Sequence, residues 1–181
     1  MKMRFKTNIY RLRHAIGQET ILFEEERYRF NTDIDYDYDV ENFEKLLERS
    51  KTAVTMKEKI STLEAAIGLA KGSYLSDIDL EWVDAGRTRL ELDYHEALLR
   101  LAGLYLETGQ SHRAIETCQT ALKADPLLED AYRLSMRAYA ALGDGAAIVR
   151  IYQACRAVLR DELGVNPSEE TEKLYKKLLK R

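Results

Sequence analysis

Tyr105 and Tyr139 stand 34 residues apart, and so do Gly109 and Gly143, and Cys118 and Tyr152. No other feature narrows the fold as far. A period of that length belongs to stacked two-helix units, each burying one face against its neighbour. Residues 95–126 carry large and small side chains where such a unit needs them: Leu101, Ala102, Tyr105, Gly109, Ala114, Cys118, Ala121 and Pro126. Small residues let two antiparallel helices touch, the aromatic fills the groove between hairpins, and glycine lets the chain reverse without a Cβ clash. The next window fits less closely. It has Ser135 and Met136 where a leucine and a small residue are expected, and its second helix runs past Arg160 to Leu163.

Thirty-four is the tetratricopeptide period. Apolar periodicity predicts helices over about 40–50, 55–72, 79–108, 111–124, 127–142, 144–163 and 167–180. The clearest stripe is Ile148, Ile151, Tyr152, Cys155, Val158, Leu159 and Leu163. Asp125-Pro126 and Asn166-Pro167 each place a capping side chain before a proline at the first helical position, and Glu169 completes a capping box with Asn166. Thr171, Leu174, Tyr175, Leu178 and Leu179 share one face of the last helix, which suits it to cover the open end of a stack. The expected fold is mainly α. Residues 40–181 should form a tetratricopeptide-like right-handed stack of three helical hairpins and a capping helix, with Tyr152 wedged between adjacent hairpins.

Charge divides the chain. Residues 1–17 hold Lys2, Arg4, Lys6, Arg11 and Arg13 and no acid, whereas 33–44 hold Asp33, Asp35, Asp37, Asp39, Glu41 and Glu44 and no base. The swing places a boundary near Asn31–Asp33, with domains expected at 1–31 and 32–181. Before it, Phe5, Ile9, Leu12 and Ile16 recur at helical spacing up to Gly17. Ile21 with Phe23, and Tyr28 with Phe30, alternate as in a small β-hairpin. A helix and a hairpin of that size enclose no core by themselves.

Several chemistries are excluded or disfavoured. The acids from Asp33 to Glu44 have EF-hand spacing, but Tyr38 occupies the position where the loop's turn demands glycine, so an extended linker fits better. Cys118 and Cys155 fall on buried repeat positions and are too few for a disulfide-stapled domain. His14, His95 and His112 share no ligand spacing with another metal-binding type, and Gly143-Asp144-Gly145 is a turn with no strand before it. No nucleophile–base pair or nucleotide fingerprint is present, so neither an enzyme nor a cofactor is expected. Net charge is −3, with 28 basic and 31 acidic residues, which requires no polyanionic partner. With only 2 prolines and 9 glycines, no membrane-length apolar run and no signal-peptide pattern behind the basic start, the chain reads as a soluble, cytoplasmic protein.

One family accounts for these parts together. The run Asp161-Glu162-Leu163-Gly164-Val165-Asn166-Pro167-Ser168, with Leu174-Tyr175 and Leu178-Leu179, resembles the ending of the bacterial transcriptional activator domain, the helical-repeat module of SARP-type (Streptomyces antibiotic regulatory protein) regulators. Asp39-Val40, Phe43 and Leu46-Leu47 are similar to that module's opening, and Leu75, Asp77 and Trp82 to its inter-helix loop and the start of its long helix. In this family the module follows an OmpR-like winged-helix DNA-binding domain. Arg11-Leu12-Arg13-His14-Ala15-Ile16-Gly17 resembles the end of that domain's recognition helix, and Tyr28-Arg29-Phe30 the end of its wing. The first two helices of the winged domain have no counterpart, so the chain resembles a truncated regulator or fragment. Glu24-Glu25-Glu26-Arg27 fills the place of the wing's usual glycine, and three glutamates there repel phosphate.

The resemblance implies candidate DNA contacts at Lys6, Asn8, Tyr10, Arg11 and Arg13 on the helix, and at Arg27 and Arg29 on the wing. It also implies protein partners for the repeats, either transcription machinery or a sister subunit in a homodimer. DNA binding is expected to be specific in a longer parent and weak in this chain, with no membrane association. The alternative is a stand-alone tetratricopeptide adaptor that binds peptide segments and has no transcriptional role.

Overall fold

The computed structural model describes residues 2–180, and side chains from Arg4 onward. Two compact units divide between Tyr38 and Asp39. In the first, α1 (Lys2–Ile16) is followed by an antiparallel hairpin of β1 (Ile21–Glu24) and β2 (Arg27–Phe30), paired in register Ile21↔Phe30 and Phe23↔Tyr28. The two-residue turn puts Glu25 at φ 50° and Glu26 at φ 62°. Left-handed backbone suits a tight hairpin turn but is costly for a residue with a Cβ.

The second unit holds α2 (Asp39–Thr52), α3 (Met56–Leu69), α4 (Glu81–Glu107), α5 (Ser111–Ala124), α6 (Glu129–Ala141), α7 (Gly145–Leu163) and α8 (Glu169–Leu178). Three hairpins, α2–α3, α4–α5 and α6–α7, stack in order, and α8 lies against α6 and α7. Every helix predicted by apolar period is present within a few residues. Gly109 and Gly143 adopt φ of 75° and 74°. Each lets the next amide reach back over the helix end, Gln110 N–H to the Tyr105 carbonyl at 2.7 Å and Asp144 N–H to the Tyr139 carbonyl at 3.0 Å. The repeat therefore preserves a hydrogen-bonded helix stop as well as residue types.

The core follows the small-residue logic. Ala102, Ala114, Cys118, Ala121, Ala131 and Ala138 are wholly buried, which brings helix backbones together around Leu63, Leu98, Leu101 and Tyr105. Ser135 and Met136, which depart from the pattern, are buried as well. Between α3 and α4, Arg87 ties the loop down by donating to the carbonyls of Tyr74 (3.1 Å), Leu75 (3.2 Å) and Ile78 (3.4 Å).

Two local expectations are corrected. Asp125 and Asn166 do not cap helices. The Asp125 side chain accepts from Leu127 N–H in a turn ahead of α6, and α8 is capped by Ser168, which accepts from Thr171 N–H. Pro126 lies in a short turn and Pro167 in an irregular stretch, and each helix starts two or three residues later. Tyr152 is half-buried and stacks face to face on Tyr175, with centroids 3.9 Å apart and planes at 4°. It therefore fills the joint between the last hairpin and the cap, where α8 stands in for a further repeat.

Candidate functional site

Two surfaces carry unspent chemistry, one in each unit. On α1 the 3.6-residue period sets the apolar stripe of Phe5, Ile9, Leu12 and Ile16 against an opposite face holding Tyr10, Arg11 and His14, with Lys6 and Asn8 flanking the stripe on its two edges. Phe5, Leu12 and Ile16 are 52%, 44% and 51% exposed, while the Phe5 ring meets Tyr28 edge-on at 5.3 Å. Lys6, Asn8 and Arg11 are exposed, and their side chains make no ion pair with any described residue. Tyr10 is exposed beside His14, its hydroxyl 3.3 Å from Nε2. Arg13 differs from these. Half-buried, it donates from Nε to the Ile21 carbonyl at 2.9 Å and so ties helix to hairpin. On the hairpin, Arg29 pairs with Glu24 at 2.9 Å, and Arg27 is exposed next to Glu25 and Glu26.

Two local hydrogen bonds bracket the acidic segment. Asp33 N–H donates to Asn31 Oδ1 at 3.0 Å, and Val40 N–H to Asp39 Oδ1 at 2.8 Å. Among the described residues no group of three or more His, Cys, Asp or Glu side chains is arranged to hold a metal. Burial pushes the Cys118 thiol up to about 11 and the Cys155 thiol up to about 12. Neither sulfur has the lowered pKa of a reactive cysteine.

In the second unit a polar cluster crosses three helices. Tyr105 donates its hydroxyl to Glu64 of α3, and Arg113 of α5 lies 4.3 Å above the Tyr105 ring. Arg113 also pairs with Glu64 at 2.6 Å and donates to Gln110 Oε1 at 3.2 Å. Burial first, and then the Glu64 hydrogen bond, push the Tyr105 phenol upward.

One repeat further on lies a cleft of about 500 Å³. His112, Ile115, Glu116 and Gln119 line it along α5, Tyr139 of α6 and Leu142 just past that helix line it from the other side, and Asp144 ahead of α7 completes the lining. Tyr139 is half-buried, yet its hydroxyl has no hydrogen-bond partner among the described residues, nor do the side chains of His112, Glu116 or Gln119. Asp144 caps α7 through Ala147 N–H at 2.8 Å and has Arg150 at 3.9 Å. The 34-residue period marks Tyr139 in the sequence, but the cleft depends on which α5 face meets it, and composition carries no sign of that.

A third cluster anchors the cap. Glu129 of α6 accepts from Thr171 Oγ1 at 2.6 Å, from Ser168 Oγ at 2.8 Å and from Ser168 N–H at 3.0 Å. Arg133 donates to Thr171 Oγ1 at 2.9 Å. Burial alone would raise the Glu129 pKa, but the hydrogen bonds from Thr171 and Ser168, helped by Arg133, outweigh it and hold the carboxyl below its usual range.

Residues 38–179 match the family described as the bacterial transcriptional activator domain. The regulatory protein AfsR of Streptomyces griseus is 27% identical over 178 residues, which is 97% of this chain and 18% of that protein. The structure of Mycobacterium tuberculosis EmbR in complex with a low-affinity phosphopeptide is similar at a TM-score of 0.80 and 18% identity, covering 99% of this chain and 50% of that one. The EmbR likeness establishes the fold. The chain spans half or less of the length of either relative.

Proposed function

The chain belongs to the bacterial transcriptional activator domain family, and from that premise we propose that it is part of a transcription regulator in which the helical stack holds protein partners and the first unit faces DNA. The observation that carries the DNA half is the outward face of α1. Arg11 stands exposed opposite the apolar stripe, Lys6 and Asn8 stand exposed at its two edges, and none of the three has an ion pair among the described residues. Cations free of internal partners are available to phosphates, and an amide or guanidinium can reach base edges. Arg13 holds Ile21 and contributes by positioning the helix. On this reading, residues 1–31 are the recognition helix and wing of a winged-helix unit, and 32–181 are the partner-binding module.

Two features limit the affinity of this chain alone. A recognition helix reads a groove only when its apolar stripe is held by other helices, and here Phe5, Leu12 and Ile16 remain exposed. Glu24, Glu25 and Glu26 place negative charge at the wing, against the phosphate contacts that supply most non-specific affinity. Fluorescence titration with a regulator's promoter duplex and with scrambled duplex at physiological salt should show weak binding without preference, falling steeply as salt rises. Submicromolar preference for one promoter would show a complete DNA-reading surface and overturn that limit. Salt-independent binding, or none even at low salt, would remove α1 from the interface.

A further inference from the structure

The repeat supplies its own template for what the cleft on α5 and α6 should hold. Tyr105 and Tyr139 are equivalent by the 34-residue period, and so are Gln110 and Asp144, and Arg113 and Ala147. On the facing helices, Ile60, Leu63, Glu64 and Ile67 of α3 have the same spacing as His112, Ile115, Glu116 and Gln119 of α5, which makes Glu116 the counterpart of Glu64. In the earlier repeat one guanidinium satisfies the whole set. Arg113 covers the Tyr105 ring and bonds Glu64 and Gln110. In the later repeat the ring, the carboxylate and the end group are all present as Tyr139, Glu116 and Asp144, and they line an open cleft. The residue that would bring the guanidinium is Ala147, which is buried and has no cation to offer.

We propose that this cleft is a socket for an arginine side chain presented by an extended segment of a partner protein, which takes the place that Arg113 occupies one repeat earlier. The chemistry fits at each wall. Ile115, Leu142 and the Tyr139 ring accept the aliphatic stem and the flat face of the guanidinium. Glu116 and Asp144 take its forked N–H donors, and Gln119 and the Tyr139 hydroxyl are within the same opening as further acceptors. Asp144 becomes the stronger acceptor of the pair Gln110/Asp144, although Arg150 at 3.9 Å shares its charge, which leaves Glu116 as the dominant anchor. A cleft of about 500 Å³ has room for one arginine and the backbone on either side of it.

This deepens the partner-binding reading above and rests on it. The probe is the capped pentapeptide acetyl-Gly-Gly-Arg-Gly-Gly-amide, titrated into the ¹⁵N-labelled chain, with the citrulline peptide as a neutral isostere. Amide shifts should appear at 112–119 and 139–147 with a millimolar dissociation constant, and the citrulline peptide should bind about tenfold more weakly. Glu116→Gln should weaken the arginine peptide to a similar degree while leaving the rest of the spectrum in place. Ala147→Arg, which restores the internal guanidinium, should abolish binding. If Ala147→Arg does not fold, the citrulline and Glu116→Gln arms decide alone. Equal binding of citrulline, indifference to Glu116→Gln, or no shifts around the cleft would each overturn the socket. Peptide-dependent shifts confined to other helices would also overturn it, yet leave the stack standing as a partner-binding module.

Discussion

The joint between α6 and α8 can be tested by removing one charge. Glu129 is 23% exposed at its side chain and receives three hydrogen bonds from the first turn of α8. Hydrogen bonds to an ionised acceptor contribute about 1.5–3 kcal/mol each. Ser168 is exposed, so water replaces Glu129 there at small cost, whereas Thr171 is fully buried. Glu129→Ala should therefore destabilise the docking of α8 by about 3 kcal/mol, with about 2 kcal/mol of it from the Thr171 bond. A double-mutant cycle with Thr171→Val should return a coupling of about 1–2 kcal/mol. The pH dependence has a definite sign. Because the folded carboxyl lies below its ordinary value of 4.5, its contribution is complete above that pH and is lost as pH falls through the lower folded value. Amide exchange of 171–178, with urea titrations near pH 6 and near pH 4, measures both effects, and Glu129→Gln should flatten that part of the acid profile. Coupling below about 0.3 kcal/mol, or an unchanged acid profile in the glutamine variant, would refute the anchor.

Tyr152→Ala should cost about 2 kcal/mol rather than the larger loss of a fully buried aromatic, and a cycle with Tyr175→Ala should return about 0.5–1.5 kcal/mol; additive losses would dismiss the stack. Replacing Glu25-Glu26 by Asn-Gly should strengthen the hairpin by about 1–2 kcal/mol, seen as slower amide exchange across 21–30, and unchanged exchange would mean the left-handed turn is unstrained. At pH 8 both buried thiols lie well below their raised pKa values, so a thiol reagent should label Cys118 and Cys155 only as fast as the chain opens. Immediate labelling of either would contradict their burial.

Much of the helical stack was legible because its signals are one-dimensional. The apolar period marks each helix, and Tyr105/Tyr139 with Gly109/Gly143 mark the repeat. Gly143 was readable since a left-handed helix stop admits few other residues. The caps at Asp125 and Asn166 were misplaced because a capping side chain and a proline serve equally well in a turn just before a helix. Tyr152 was misassigned to a groove because the period says which positions are equivalent, not whether another repeat follows. The Arg113–Glu64 pair joins residues 49 apart. Charged side chains on helix faces are so common that no sequence rule separates that pair from solvated ones. On α1 the tie that Arg13 makes was not readable, because it depends on where the hairpin carbonyl of Ile21 comes to lie.

Helix α4 runs for 27 residues without a break, about 40 Å of rod. Its Ala97, Leu101 and Tyr105 share one core with Ile60 and Leu63 of α3 and with Ala114 and Ile115 of α5, while Leu98 and Ala102 pack with Cys118, Ala121 and Ala131. A stack in which each helix served a single hairpin could come apart one repeat at a time. Here α4 gives the first two hairpins one wall, and Ala131 and Ala138 of α6 are buried in the same two clusters, so no hairpin can leave without stripping its neighbour. Thermal or mechanical opening should therefore begin at the far end, where α8 lifts first, and α2 to α7 should go last as a single cooperative block.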